Sequence, residues 1–102
     1  MSASRTELEA EIAAIKVRLA GLGRMHPGSL SVQKRTRGGQ YQQLSYTYLG
    51  TGHTRYVRAR EVPALERELE NYRKFRELAS RWLQLEIDLS RLTREEGRRK
   101  KR

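Results

Sequence analysis

Three patterns in the sequence predict an α+β fold: an N-terminal helix, a three-stranded antiparallel β-meander, a long C-terminal helix and a disordered basic tail. Apolar residues recur at helical spacing near the N-terminus and again from Glu61 onward. Between these stretches the period falls to two, broken by Gly38-Gly39 and Gly50-Thr51-Gly52. Charge is gathered in blocks and not spread evenly.

Ser4-Arg5-Thr6-Glu7 reads as a capping box, with Ser4 as N-cap and Glu7 three residues on. Leu8, Ile12, Ile15, Leu19 and Leu22 then recur in steps of four, three, four and three, a heptad seam. Gly21 and Gly23 weaken the last turn and Pro27-Gly28 closes it. The first helix is therefore expected from about residue 4 to 22, about 30 Å long.

Ser29-Leu30-Ser31-Val32-Gln33 alternates polar and apolar residues, Tyr41 to Leu49 is rich in β-formers, and Thr54 to Arg58 makes a third strand. With Gly50-Thr51-Gly52 at the hairpin tip, Tyr48 pairs with His53, Tyr46 with Arg55 and Leu44 with Val57. One face then carries Leu44, Tyr46, Tyr48, Arg55 and Val57, with Leu30 and Val32 beside it, and is suited to burial. The other carries Tyr41, Gln43, Ser45, Thr47, Thr54, Tyr56 and Arg58, and is polar, aromatic and basic.

Pro63 suits the first turn of a helix, where its missing N–H costs nothing. Val62, Leu65, Leu69 and Tyr72 begin a stripe that Phe75, Leu78, Trp82, Leu85, Leu89 and Leu92 continue. The steps from Tyr72 to Phe75 to Leu78 are three and three, so the stripe drifts around the helix there. A helix of roughly 30 residues, about 45 Å, results. Its N-terminal half is the natural cover for the sheet. The half with Trp82 and Leu85 is left for the first helix or a second subunit. Gly97-Arg98-Arg99-Lys100-Lys101-Arg102 lacks apolar residues and reads as disordered. The organisation is thus one α-βββ-α domain over 1–93 and a basic tail over 94–102.

Composition removes several function classes. The chain has 102 residues, 36% of them hydrophobic, and no Cys, which excludes disulfide scaffolds, thiol enzymes and zinc fingers. Two His without a nearby carboxylate do not close a metal site, so no metal or cofactor is implied. No apolar run approaches the roughly 20 residues of a membrane span, and the N-terminus lacks the apolar core of a signal peptide. A cytoplasmic protein without a membrane partner is expected. The acids sit at helical spacing among Arg and Lys, as in Glu70 and Lys74, and the serines lack a paired base. No enzyme is expected.

The net charge is +10. Residues 24–60 hold Arg24, Lys34, Arg35, Arg37, Arg55, Arg58 and Arg60 and not one Asp or Glu. Such a block is a focused positive field that favours an anionic partner. The expected function is non-enzymatic binding of nucleic acid, double-stranded DNA first, through the sheet. A sheet face laid in the major groove puts Arg35 and Arg58 within reach of guanine or phosphate, and Gln43 of adenine. Lys34, Arg37, Arg55 and Arg60 add charge for phosphate. Tyr41 and Tyr56 suit stacking on unpaired bases, which keeps single-stranded DNA or RNA open as the partner. A solvated sheet face with Arg for solubility is the plain alternative. An oligomerising adaptor, a homodimer or a binder of another protein through the helical stripe, is the alternative of a different class.

The strings His26-Pro27-Gly28-Ser29-Leu30-Ser31-Val32, Tyr41-Gln42-Gln43-Leu44-Ser45-Tyr46-Thr47, Arg55-Tyr56-Val57 and Glu70-Asn71-Tyr72-Arg73-Lys74-Phe75-Arg76-Glu77-Leu78 span most of residues 25–92. They resemble a small family of prokaryotic proteins without an assigned activity, members of which are often associated with transposases and mobile elements. The resemblance implies an accessory or regulatory role beside such an element, with a transposase as a candidate protein partner. Many members carry a zinc-ribbon-like Cys set between the first two strands. This chain has Lys34-Arg35-Thr36-Arg37-Gly38-Gly39-Gln40 there, so that metal site does not carry over. The strand-strand-strand-helix order is also similar to the DNA-binding domains of phage integrases, an analogy of fold alone.

Overall fold

The computed structural model describes residues 3–34 and 39–100, apart from the Lys100 side chain. The elements follow in the order α1 (Arg5–Ala20), β1 (Ser29–Lys34), β2 (Gln40–Tyr48), β3 (Thr51–Val57), a short 3-10 turn (Ala59–Glu61) and α2 (Val62–Lys100). This is the expected α+β architecture. The described residues group into two compact units, a helical unit within Met1–Leu22 and Phe75–Arg102 and a sheet unit within Gly23–Lys74.

In the helical unit, Ser4 caps α1 as its pattern predicts, its hydroxyl accepting from the Glu7 N–H at 3.2 Å. Leu8, Ile12 and Ile15 are buried with Leu78 and Leu85, and Leu19, Leu22, Trp82, Leu89 and Leu92 pack against them. The heptad seam of α1 is thus filled by the later stripe of α2. Arg5 meets Glu96 at 3.4 Å, while Lys16 Nζ lies 5.3 Å from the Trp82 ring centroid, so the two helices run antiparallel. Arg81 donates to both Glu11 oxygens, from Nε at 2.5 Å and Nη2 at 3.0 Å.

α2 continues past residue 93, where composition places the start of a tail, to Lys100; Lys101 and Arg102 lie outside the described residues. Extending an existing helix fixes one residue per hydrogen bond gained, and Arg, Lys and Glu are good helix formers. One Gly, Gly97, does not interrupt it.

In the sheet unit the strands lie in the order β1-β2-β3, both pairs antiparallel. The β2–β3 register differs from the expected one by two residues: Tyr46 pairs with His53, Leu44 with Arg55 and Gln42 with Val57. The turn is Leu49-Gly50 and not Gly50-Thr51-Gly52. Both of its residues have positive φ, 51° and 80°, the sign pattern of the tight primed turn that matches strand twist. An even slip leaves every residue on its face. Leu44 and Val57 are buried as expected, whereas Val32, on the edge strand, and Tyr48, beside the turn, are 53% and 61% exposed and Arg55 is exposed. Leu65 of α2 lines a cleft of about 390 Å³ with Leu44 and Val57, together with Arg55, Glu61 and Glu68.

The segment before β1 is tied to α2 by two hydrogen bonds. The His26 N–H donates to the Glu68 carbonyl at 3.0 Å, and Asn71 Nδ2 donates to the Arg24 carbonyl at 2.9 Å. Gly28 has φ of 110°, and a Cβ there would run into the Ser45 carbonyl and Tyr46 Cβ. Only glycine lets the chain cross β2 so closely.

Candidate nucleic-acid interface

The alternation of β-strands sorts the acid-free block onto two faces. On the open face the pairings Ser31–Gln43–Tyr56 and Ser29–Ser45–Thr54 run across the three strands, with Gln33–Tyr41 alongside. Tyr56 is 57% exposed, Ser31 and Thr54 are exposed, and Gln43 and Tyr41 are half-buried. The Tyr41 and Tyr56 rings lie 5.7 Å apart at a tilt of 40°. Gln43 stands directly opposite Tyr56 on the neighbouring strand, so two aromatic rings and an amide form one patch. Arg58 follows Val57 in extended conformation, which turns its exposed side chain to this same face.

Lys34 and Arg55 belong to the opposite parity. Lys34 pairs with Gln40, and Arg55 pairs with Leu44, whose side chain is buried. Arg55 Nη1 donates to the Thr54 carbonyl at 3.0 Å. Arg60 is exposed in the 3-10 turn. Arg35 and Arg37 lie outside the described residues. The structure therefore brings Tyr41, Gln43, Tyr56 and Arg58 onto one face and leaves Lys34 and Arg55 on the other.

A second grouping runs along the strands. Lys34 pairs with Gln40, and Val57 with Gln42, so the C-terminal ends of β1 and β3 meet the N-terminal end of β2. Lys34, Tyr41 and Arg58 gather at that end of the sheet, followed by Arg60. The far end, Thr47 to Gly52, carries no charge. Backbone geometry fixes the charged end: the Arg58 N–H donates to Glu61 Oε1 at 3.0 Å, and the Glu61 N–H donates to the Arg58 carbonyl at 2.8 Å. Among the described residues, none of Arg24, Lys34, Arg55, Arg58 and Arg60 forms an ion pair; the acids that are paired hold Arg5, Arg73 and Arg81. These five side chains are exposed to solvent.

No protein-family model, curated protein or solved structure matches this chain.

One cluster escapes sequence reasoning. His26 meets the Tyr46 ring edge-on at 4.7 Å, and His53 stacks on Tyr46 at 4.8 Å. His26 Nδ1–H donates to the Pro27 carbonyl at 2.6 Å, which holds that ring in place. The two His are remote in sequence, and only the true β2–β3 register puts His53 beside Tyr46. Among the described residues no group of three His, Cys, Asp or Glu is arranged to hold a metal, and no helix is long and apolar enough to cross a membrane.

Proposed function

We propose that the protein binds nucleic acid without catalysing a reaction, and that its partner is duplex DNA met by the open face and charged end of the sheet. The observation that carries this reading is the composition of that surface. Tyr41, Gln43, Tyr56 and Arg58 share one face, Lys34 and Arg60 flank its end, and residues 24–60 contain no acid. Gln and Arg are the side chains that pair in bidentate fashion with adenine and guanine edges, and Ser31, Ser45 and Thr54 suit phosphate and sugar. As part of this proposal, the protein serves as an accessory or regulatory factor of a mobile element.

The test is fluorescence anisotropy of the full chain with labelled duplex DNA, single-stranded DNA and RNA over a salt series. Duplex binding that weakens steeply with salt is the expected result. Weak binding to all three at low salt overturns the proposal and turns attention to a protein partner. The Tyr41–Tyr56 ring pair favours a second reading, in which unpaired bases stack on the sheet. Preference for single strands in the same assay selects it.

A further inference from the structure

The sheet leaves one strongly basic surface without a role. Because α2 stays helical to Lys100, the arginines of its last turns are aligned. Arg91, Arg94 and Arg98 follow in steps of three and four, which at helical geometry confines them to an arc of about 60° and spaces them about 4.5 and 6 Å along the axis. We infer that Arg91, Arg94 and Arg98 form a second phosphate-binding surface, a rigid row that lies along the backbone of duplex DNA. The class of partner rests on the nucleic-acid reading above.

Four observations support the row. All three side chains are exposed. None forms an ion pair among the described residues, because Glu96 is turned to Arg5 at 3.4 Å and Glu95, the acid beside the row, pairs with none of them. Arg94 Nη1 donates to Ser90 Oγ at 2.7 Å, which braces one guanidinium along the helix and leaves its other donors free for phosphate. The same side of the helix continues toward the N-terminus with Ser90 and Ile87 and has no aromatic ring there, so the row suits backbone contact and not base stacking. A different role is open to cations in the last turns of a helix, which offset its dipole. That role shows in helix stability, whereas phosphate contact shows in salt dependence.

The experiment uses the full chain and a labelled random-sequence duplex, with affinity read across a salt series. Arg91→Gln, Arg94→Gln and Arg98→Gln are combined, since Gln is about as good a helix former as Arg. Each phosphate contact contributes about 0.9 to the slope of log affinity against log salt, so the triple variant is expected to flatten that slope by about 2.7. A matching triple Lys variant keeps the charge and is expected to keep the slope. Glu95→Gln is expected to raise affinity at low salt, a result that does not depend on the triple variant folding. An unchanged slope in the triple Gln variant, or no effect of Glu95→Gln, overturns the inference. A parallel variant, Tyr56→Ala with Arg58→Ala, separates the two claims. If it binds as the parent does while the triple Gln variant does not, the sheet reading fails and the row stands. If it loses binding while the triple Gln variant keeps its slope, the row fails and the sheet reading stands. Absence of duplex binding by the parent chain overturns both.

Discussion

Tyr41 and Tyr56 are diagonal neighbours across β2 and β3, their rings 5.7 Å apart on the open face of the sheet. The relationship separates the two nucleic-acid readings. A base stacked on an aromatic side chain contributes about 1–3 kcal/mol, so on the single-strand reading Tyr56→Ala weakens single-stranded binding by about five- to 150-fold. On the duplex reading Tyr56→Ala changes single-strand and duplex affinity alike, and by less. Paired titrations of one variant with the two ligands decide between them.

Arg58 stands at the charged end of the same face. Arg58→Ala is expected to weaken duplex binding and to lower the salt slope by about one. A uniform loss over different sequences assigns Arg58 to phosphate. A loss confined to sites with guanine at one position assigns it to a base edge.

The Leu49-Gly50 turn asks a leucine to adopt φ of 51° while 85% exposed. Asparagine tolerates that conformation better and is the favoured partner of glycine in such a turn. Leu49→Asn is therefore expected to stabilise the sheet unit by up to about 1 kcal/mol, read as a higher midpoint in urea with unchanged slope.

The Glu11–Arg81 pair gives the helical unit a pH dependence of known sign. Hydrogen bonding from the Arg81 guanidinium, with its charge, holds the Glu11 carboxyl below its ordinary value of 4.5. A depressed pKa in the folded state means that the contribution is complete above that ordinary value and is lost as pH falls through the lowered one. Glu11→Gln should therefore lower the melting temperature at neutral pH and have no effect in strong acid. Both groups are solvent-exposed, so the difference is small. Thermal melts of parent and variant across this range check it.

Leu85 is 1% exposed and sits centrally in a core that holds few other buried residues. Leu85→Ala is expected to cost about 2–5 kcal/mol, a large share of the stability of a domain this size. Loss of the helical unit's cooperative melt by circular dichroism is the readout.

The helices were legible because periodicity names their buried faces directly. Leu8, Ile12 and Ile15 point into the core that Leu78 and Leu85 complete. In the sheet, alternation named the burial of Leu44 and Val57 but not the exposure of Val32 and Tyr48, which lie on the same face on an edge strand and beside the turn. The hairpin register was not, because a leucine at positive φ is a conformation that side-chain propensity argues against, and the neighbouring glycines offered a looser tip. The helical course of residues 94–100 was hidden by a composition that suits disorder and helix equally. At the site, Tyr41, Gln43, Tyr56 and Arg58 followed from alternation alone, whereas the His26–Tyr46–His53 stack needed the true register. Alternation also set Arg55 and Arg58 on opposite faces, whereas charge counting, which grouped them with Lys34, gave no side to any of the three.

The discrepancy of two residues in the β2–β3 hairpin has a consequence for how this surface tolerates change in length. Adding or removing two residues at the turn lengthens or shortens the hairpin by one pair, keeps the neighbours of β3, and leaves Val57 facing inward and Tyr56 outward. Adding or removing one, with a two-residue turn kept, inverts the strand, burying the tyrosine and exposing the valine. Loop-length variants of this hairpin should therefore survive in steps of two, with the ligand-facing side chains held against the same neighbours.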